Sequence, residues 1–116
     1  MPATNFTIEI EQGIPYNQDF IIKNLDGSNK DLTGFTARMQ FREFVSSPAV
    51  SLNATTENGK LFIDSENSTL SILLTEDDTK FLSKNTYVYD LEIVNSANVP
   101  ARLIKGSVKN SLEVTR

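Results

Sequence analysis

The chain has 116 residues, enough for one core without disulfides or metals, and the sequence reads as a single domain over 1–116. It holds no Cys, His or Trp, which excludes Cys/His zinc centres, thiol nucleophiles, iron–sulfur clusters and every Ser-His-Asp arrangement within this chain. With 15 acidic against 11 basic residues the net charge is −4, and no basic cluster suggests a nucleic-acid partner.

The dominant sequence period is two. Phe6, Ile8 and Ile10 alternate with Thr7, Glu9 and Glu11, a first strand with one wet face. A second strand is predicted over 16–24, followed by the turn-rich run Asp26-Gly27-Ser28-Asn29-Lys30. Phe35, Ala37, Met39 and Phe41 then alternate with Thr36, Arg38, Gln40 and Arg42, until Ser46-Ser47-Pro48 breaks the pattern. Val50, Leu52 and Ala54 form the next strand, and Asn58-Gly59 reads as a hairpin linking it to Leu61-Phe62-Ile63. After Asn67-Ser68 come Leu70, Ile72 and Leu74. A short connector helix is predicted near 75–82, with Thr75 as N-cap and Glu76, Asp77 and Asp78 at its positive end. Tyr87, Tyr89, Leu91 and Ile93 mark a long strand, Asn95-Ser96-Ala97-Asn98 a turn. A last extended run places Ile104, Gly106, Val108, Leu112 and Val114 at one parity.

Seven to nine short strands at roughly ten-residue spacing predict an all-β fold, a single antiparallel β-sandwich. A one-turn helix before a Tyr-x-Tyr strand points to an immunoglobulin-like corner pinned by a buried Tyr87 or Tyr89 hydroxyl. The core is expected to gather the inward parity, including Phe6, Phe20, Ile22 and Phe35. Past residue 109 the last run outlasts its hairpin partner. Leu112, Val114 and Arg116 are expected either to complete the chain's own second sheet or to form an assembly contact with a neighbouring subunit.

No constellation of chemical groups stands out. Asp77 with Asp78, and Glu9 with Glu11, are the only paired acids considered for acid–base work. Helix capping and a wet strand face account for them better. The run 26–31 resembles half a calcium loop, but Lys30 sits among its would-be ligands and a turn explains it. Arg38, Arg42, Lys105 and Lys109 could form a basic stripe for an acidic partner; pairing with Asp90 and Glu92 across strands is favoured. No catalytic, cofactor or metal site is therefore expected, and no enzyme activity. Residues 1–12 show no basic n-region or apolar h-region, and no run is long enough for a membrane helix, so cytoplasmic synthesis is expected.

Three segments carry a resemblance: 31–42 (DLTGFTARMQFR), 56–63 (TENGKLFI), and 87–94 (YVYDLEIV) leading through 102–108 to Glu113-Val114-Thr115-Arg116. In this order they resemble small structural proteins encoded in tail-morphogenesis regions of tailed bacteriophages and prophages. Members often carry an acidic residue where this chain has Lys105. The resemblance implies a virion component with an immunoglobulin-like β-sandwich and no catalysis, assembled in the host cytoplasm. Its implied partners are copies of itself and other phage structural proteins, with no nucleic acid, membrane or small-molecule substrate. The expected role is a tail-associated adaptor in the baseplate or neck, reinforcing a symmetric ring. A capsid decoration protein and a carbohydrate-binding module contacting the host surface are the alternatives.

Overall fold

A computed structural model describes residues 4–115. Inward apolar residues at period two give nine strands: β1 (Thr4–Asn5), β2 (Ile8–Glu11), β3 (Tyr16–Ile21), β4 (Thr36–Arg42), β5 (Leu52–Thr55), β6 (Leu61–Asp64), β7 (Thr69–Leu74), β8 (Thr86–Val94) and β9 (Pro100–Ser111). The single helix among the described residues, α1 (Glu76–Lys80), joins β7 to β8. The larger sheet runs β5-β4-β8-β9, with β1 and β2 both on the outer edge of β9; the smaller runs β3-β7-β6. Together they enclose one apolar core. The chain is an all-β sandwich, as its alternation predicts.

Parity decides the core. Ala37, Met39 and Phe41 of β4, and Leu91 and Ile93 of β8, are each almost wholly buried, while Arg38, Gln40, Asp90 and Glu92 face outward from the same strands. Phe6, Phe20 and Phe35 are partly buried against this core. Phe6 and Phe20 meet edge to face across the sandwich, with centroids 5.1 Å apart.

Three expectations are corrected. Asn58-Gly59 does not close a hairpin: β5 pairs with β4, whereas β6 pairs with β7 in the other sheet. The Asn58 side chain accepts from the Thr55 and Lys60 N–H groups and donates to the Asn53 carbonyl. These bonds satisfy backbone groups that a hairpin partner would otherwise have paired, so the chain can leave one sheet for the other. The first strand is interrupted, and both its pieces run parallel to β9, so the larger sheet is mixed rather than purely antiparallel. The last run does not complete the second sheet. Its pairing ends at Ser111, against Glu11 of β2, and Asn110 rather than an apolar residue takes the final buried position.

The parallel edge depends on one glycine. Gly106 lies opposite Tyr89 in the β8–β9 ladder. A Cβ at 106 would overlap the Phe6 carbonyl oxygen and lie 3.1 Å from its carbon. That carbonyl accepts the Tyr89 hydroxyl at 2.6 Å, while the Phe6 N–H donates to the Lys105 carbonyl at 3.0 Å. The absent side chain thus lets β1 and β2 approach and lets Tyr89 tie them down. Burial pushes the Tyr89 hydroxyl well above its ordinary range, with nearby Tyr16 adding to the effect, so it stays a neutral donor.

Candidate functional site

At one end of the sandwich β2, β4, β7 and β9 finish while β3 and β8 begin. The local sequence there is built to hold three segments together. Thr75 caps α1 by accepting the Asp78 N–H, and the Asp78 carboxylate accepts the Thr75 N–H at 2.8 Å, a reciprocal capping box. Asp78 also meets Lys60 Nζ at 2.7 Å. Burial raises its pKa, but the Lys60 ammonium and the Thr75 donors outweigh that and hold it below the usual carboxylate value.

Thr79, fully buried, donates its hydroxyl to the Ile14 carbonyl and accepts the Gly13 N–H, both at 3.0 Å. The Gln12 amide donates to the Lys80 and Leu82 carbonyls and accepts the Glu113 N–H at 2.8 Å. Buried Asn110 donates to the Leu82 and Lys84 carbonyls at 2.8 and 3.0 Å. The Tyr87 hydroxyl accepts the Lys84 N–H at 2.9 Å. Lys84 in turn reaches Glu43 at 3.9 Å, and Arg42 donates to the Ser47 carbonyl at 2.7 Å. The turn 12–15, the connector 81–85 and the tail 112–115 therefore form one hydrogen-bonded frame, which the loop 43–51 joins only through the long, exposed Lys84–Glu43 pair.

That frame carries exposed apolar side chains. Val114 is 92% exposed, Phe81 79%, and Ile14 and Leu112 about half, while on the neighbouring loop Phe44 is half exposed and Val45 borders a groove over the outward face of the larger sheet with Arg42 and Val88. Leu112 and Val114 sit at the surface; Arg116 lies outside the described residues. The sequence did not point to Ile14, Phe44, Val45 or Phe81 because each falls in a turn, outside any strand alternation. An aliphatic or aromatic residue beside Gly13, Glu43 or Lys80, where loops are ordinarily polar, is the signal that was there to be read.

The outward face of the larger sheet is a second surface. Arg38 pairs with Glu92 at 2.7 Å and Arg102 with Asp90 at 3.3 Å, so cross-strand pairing holds for Arg38. Arg42 instead bonds the Gln40 side chain and the Ser47 carbonyl, while Lys105 and Lys109 make no ion pair among the described residues. A groove of about 700 Å³ lies at this sheet's lower end, lined by Glu9, Glu11, Tyr16, Lys109 and Asn110, with Ile14 on its rim.

The remaining sequence candidates have local explanations. Glu9 and Glu11 lie on the wet face of β2, and Asp77 is exposed on α1. Asp26 accepts from the Ser28 N–H and hydroxyl, and Asp31 from the Thr33 N–H, which lowers both carboxyl pKa values and closes turns. No cluster of three or more metal-ligating side chains occurs among the described residues. No protein-family model matches the chain, and no curated protein matches it.

Proposed function

We propose that the chain is a bacteriophage virion structural protein, a tail-associated adaptor at the baseplate or neck that reinforces a symmetric ring. The observation that carries this reading is the apolar end. Three segments far apart in sequence, the turn 12–15, the connector 81–85 and the tail 112–115, are tied by hydrogen bonds and together hold Phe81 and Val114 in water. Isolated exposed apolar residues are ordinary, but a rigid group of them marks an interaction surface. The resemblance of segments 31–42, 56–63 and 87–94, leading through 102–108 to 113–116, to phage tail-region proteins supports that setting.

Two further features support the sandwich as immunoglobulin-like: β3-β7-β6 facing β5-β4-β8-β9, and the Tyr87 corner after α1. The reading assigns no catalysis, since Asp78 is committed to capping and Asp77 stands exposed without a second polar group converging on it. A glycan-binding role is less well supported because Phe41, Tyr87 and Tyr89 are buried in the core, and the exposed Phe44, Phe62 and Phe81 lie on three separate elements rather than side by side on one strand face.

The test is to purify particles from a strain carrying this gene, detect the protein by mass spectrometry and locate it with gold-labelled antibody. Label at one end of the tail supports the proposal. Label spread over the head makes it a decoration protein, and absence from particles overturns the virion reading.

A further inference from the structure

We propose that the outer edge of β3 is a self-association site, where two copies pair their β3 strands antiparallel about a two-fold axis at Ile21. The backbone there is open. In the smaller sheet β3 pairs only with β7, because both pieces of the first strand pair with β9 instead. The Ile22 N–H donates to the Ser68 carbonyl and the Ile22 carbonyl accepts the Lys30 N–H, so the even-numbered residues of this run turn their backbone groups toward β7 and its continuation. Asn17, Asp19, Ile21 and Lys23 therefore turn theirs to the outer edge, and all four residues are exposed. Of these backbone groups only the Asp19 carbonyl has a partner among the described residues, the Gln18 amide of the same strand.

The other strand edges are guarded. On β5 the Asn58 side chain accepts the Thr55 N–H and donates to the Asn53 carbonyl, taking groups that an added strand would need. Glu9 and Glu11 place like charges along β2, and β6 has only 4 residues. β3 has 6 residues, and Ile21 on its edge is 61% exposed. Beside it, Phe20 and Ile22 border a cleft of about 390 Å³ between the sheets, with Phe6 and Ile104 also in its lining. An unguarded edge next to an apolar cleft is the arrangement that strand addition uses.

Charge selects both the partner and the register. Antiparallel pairing of two identical edges puts one residue opposite itself. With Asp19 on the axis, two carboxylates meet, and with Phe20 on the axis each Ile21 faces an Asp19. With Ile21 on the axis, Ile21 meets Ile21, and Asp19 of each copy faces Lys23 of the other. The result is an apolar centre flanked by opposite charges, and the open backbone groups of 19, 21 and 23 fall in hydrogen-bonded pairs. On the inward face Phe20 of each copy then lies opposite Ile22 of the other, along the cleft. Both charged groups keep capacity for this contact. The Ser71 hydroxyl donates to one Asp19 carboxylate oxygen, and the Asn29 side chain accepts from the Lys23 ammonium, which has further protons to donate. The pair joins the two smaller sheets into one and leaves the apolar end free for a different neighbour. It adds a contact to the assembly reading and does not depend on it.

The chain has no Cys, so single-cysteine variants of the purified full chain report the register directly. In a hydrogen-bonded antiparallel pair the Cα atoms are about 5.5 Å apart, within the disulfide range of roughly 4.4–6.8 Å. Under mild oxidation Ile21→Cys should form a disulfide-linked dimer at least about tenfold faster than Asn17→Cys. Asp19→Cys and Lys23→Cys should each fail to cross-link alone, because each lies about 13 Å along the strand from its own copy, but should cross-link when mixed. In sedimentation equilibrium the wild-type protein should show a weak monomer–dimer equilibrium. Asp19→Lys should raise its dissociation constant at least about tenfold, and the charge exchange Asp19→Lys with Lys23→Asp in one chain should restore it. Both positions are exposed, so these variants should retain the wild-type circular dichroism. A wild-type protein that stays monomeric to millimolar concentration overturns the inference. So does an Ile21→Cys protein that cross-links no faster than Asn17→Cys, cross-linking of Asp19→Cys alone, or a charge exchange that fails to restore association. Particle labelling bears on the virion reading separately, so the two can fail independently.

Discussion

Replacing Gly106 with Ala is the sharpest test of how the first strands are held. One methyl group is added, at a point where the Phe6 carbonyl occupies its space. Nothing there can yield cheaply, because the obstructing atoms are backbone fixed by the Phe6 N–H to Lys105 carbonyl bond. Relieving the overlap moves Phe6 outward by about 1 Å, enough to break a hydrogen bond whose length is 2.6 Å. The Tyr89 hydroxyl, in a residue 6% exposed, is then left without its acceptor at a cost of about 1–3 kcal/mol. Loosening the Phe6–Phe20 edge-to-face contact removes a further ~0.5–1.5 kcal/mol. The expected loss is about 2–4 kcal/mol. For a domain of this size that lowers the melting temperature by roughly 8–16 °C. Tyr89→Phe removes the same hydrogen bond without moving the backbone and should cost only about 1 kcal/mol. Because both changes act on one carbonyl, their double variant should be less destabilised than the sum. Urea unfolding gives the free energies, and hydrogen exchange at the Phe6 amide reports whether the edge has detached. A Gly106→Ala protein within about 0.5 kcal/mol of wild type, with Phe6 still protected, would refute this account of the parallel edge.

Two further outcomes follow from the core and the helix cap. Met39→Asp and Leu91→Asp, at positions 1% and 0% exposed, should abolish soluble expression, since an unpaired buried charge costs several kcal/mol against a total of ~5–15; normal yield with unchanged melting would mean the parity is wrong. Asp78→Asn should cost about 1 kcal/mol near neutral pH by removing the Lys60 pair and weakening the capping box. The Asp78 pKa is lower folded than unfolded, so its stabilisation is complete above the ordinary carboxyl range and lost as pH falls through the folded value. The melting-temperature gap between wild type and Asp78→Asn should therefore narrow as pH falls below the ordinary carboxyl range, and a gap that widened on acidification would contradict the sign.

The sandwich was legible because the inward and outward faces of β4, β7 and β8 differ at every second residue, a signal that needs no long-range knowledge. The capping box was half legible for the same reason: Thr75 and its acidic neighbours are local, whereas Lys60 is brought to Asp78 only by the fold. Sheet membership was not legible. Asn58-Gly59 makes a turn in either case, and what sends β6 to the other sheet is the hydrogen bonding of the Asn58 side chain together with the need to cover the core from both sides. The parallel pairing of β1 and β2 with β9 joins residues about a hundred positions apart, and Gly106 gave no sign of it in a run that otherwise alternates.

The apolar end shows why a surface of this kind escapes a reading by period. Its residues share no element: Ile14 follows Gly13 in a turn, Phe81 closes α1 and Val114 lies beyond β9. The segments of Ile14, Phe81 and Val114 are tied together because Gln12, Thr79 and Asn110 commit their hydrogen-bonding capacity to carbonyls and N–H groups of other segments. A loop of polar residues held only by water would not keep apolar side chains in a fixed relative position. A loop fastened by buried amides and a buried threonine does, and it keeps them apart from the core they could otherwise join. Rigidity of this sort lowers the entropy lost when a second surface docks. The buried network and the exposed Phe81 and Val114 are thus two parts of one arrangement. Thr79→Val, which removes the Thr79 contacts with Gly13, Ile14 and Glu76 at nearly constant volume, should cost about 1–3 kcal/mol in urea unfolding, and a variant as stable as wild type would show that this network does not fasten the turn 12–15.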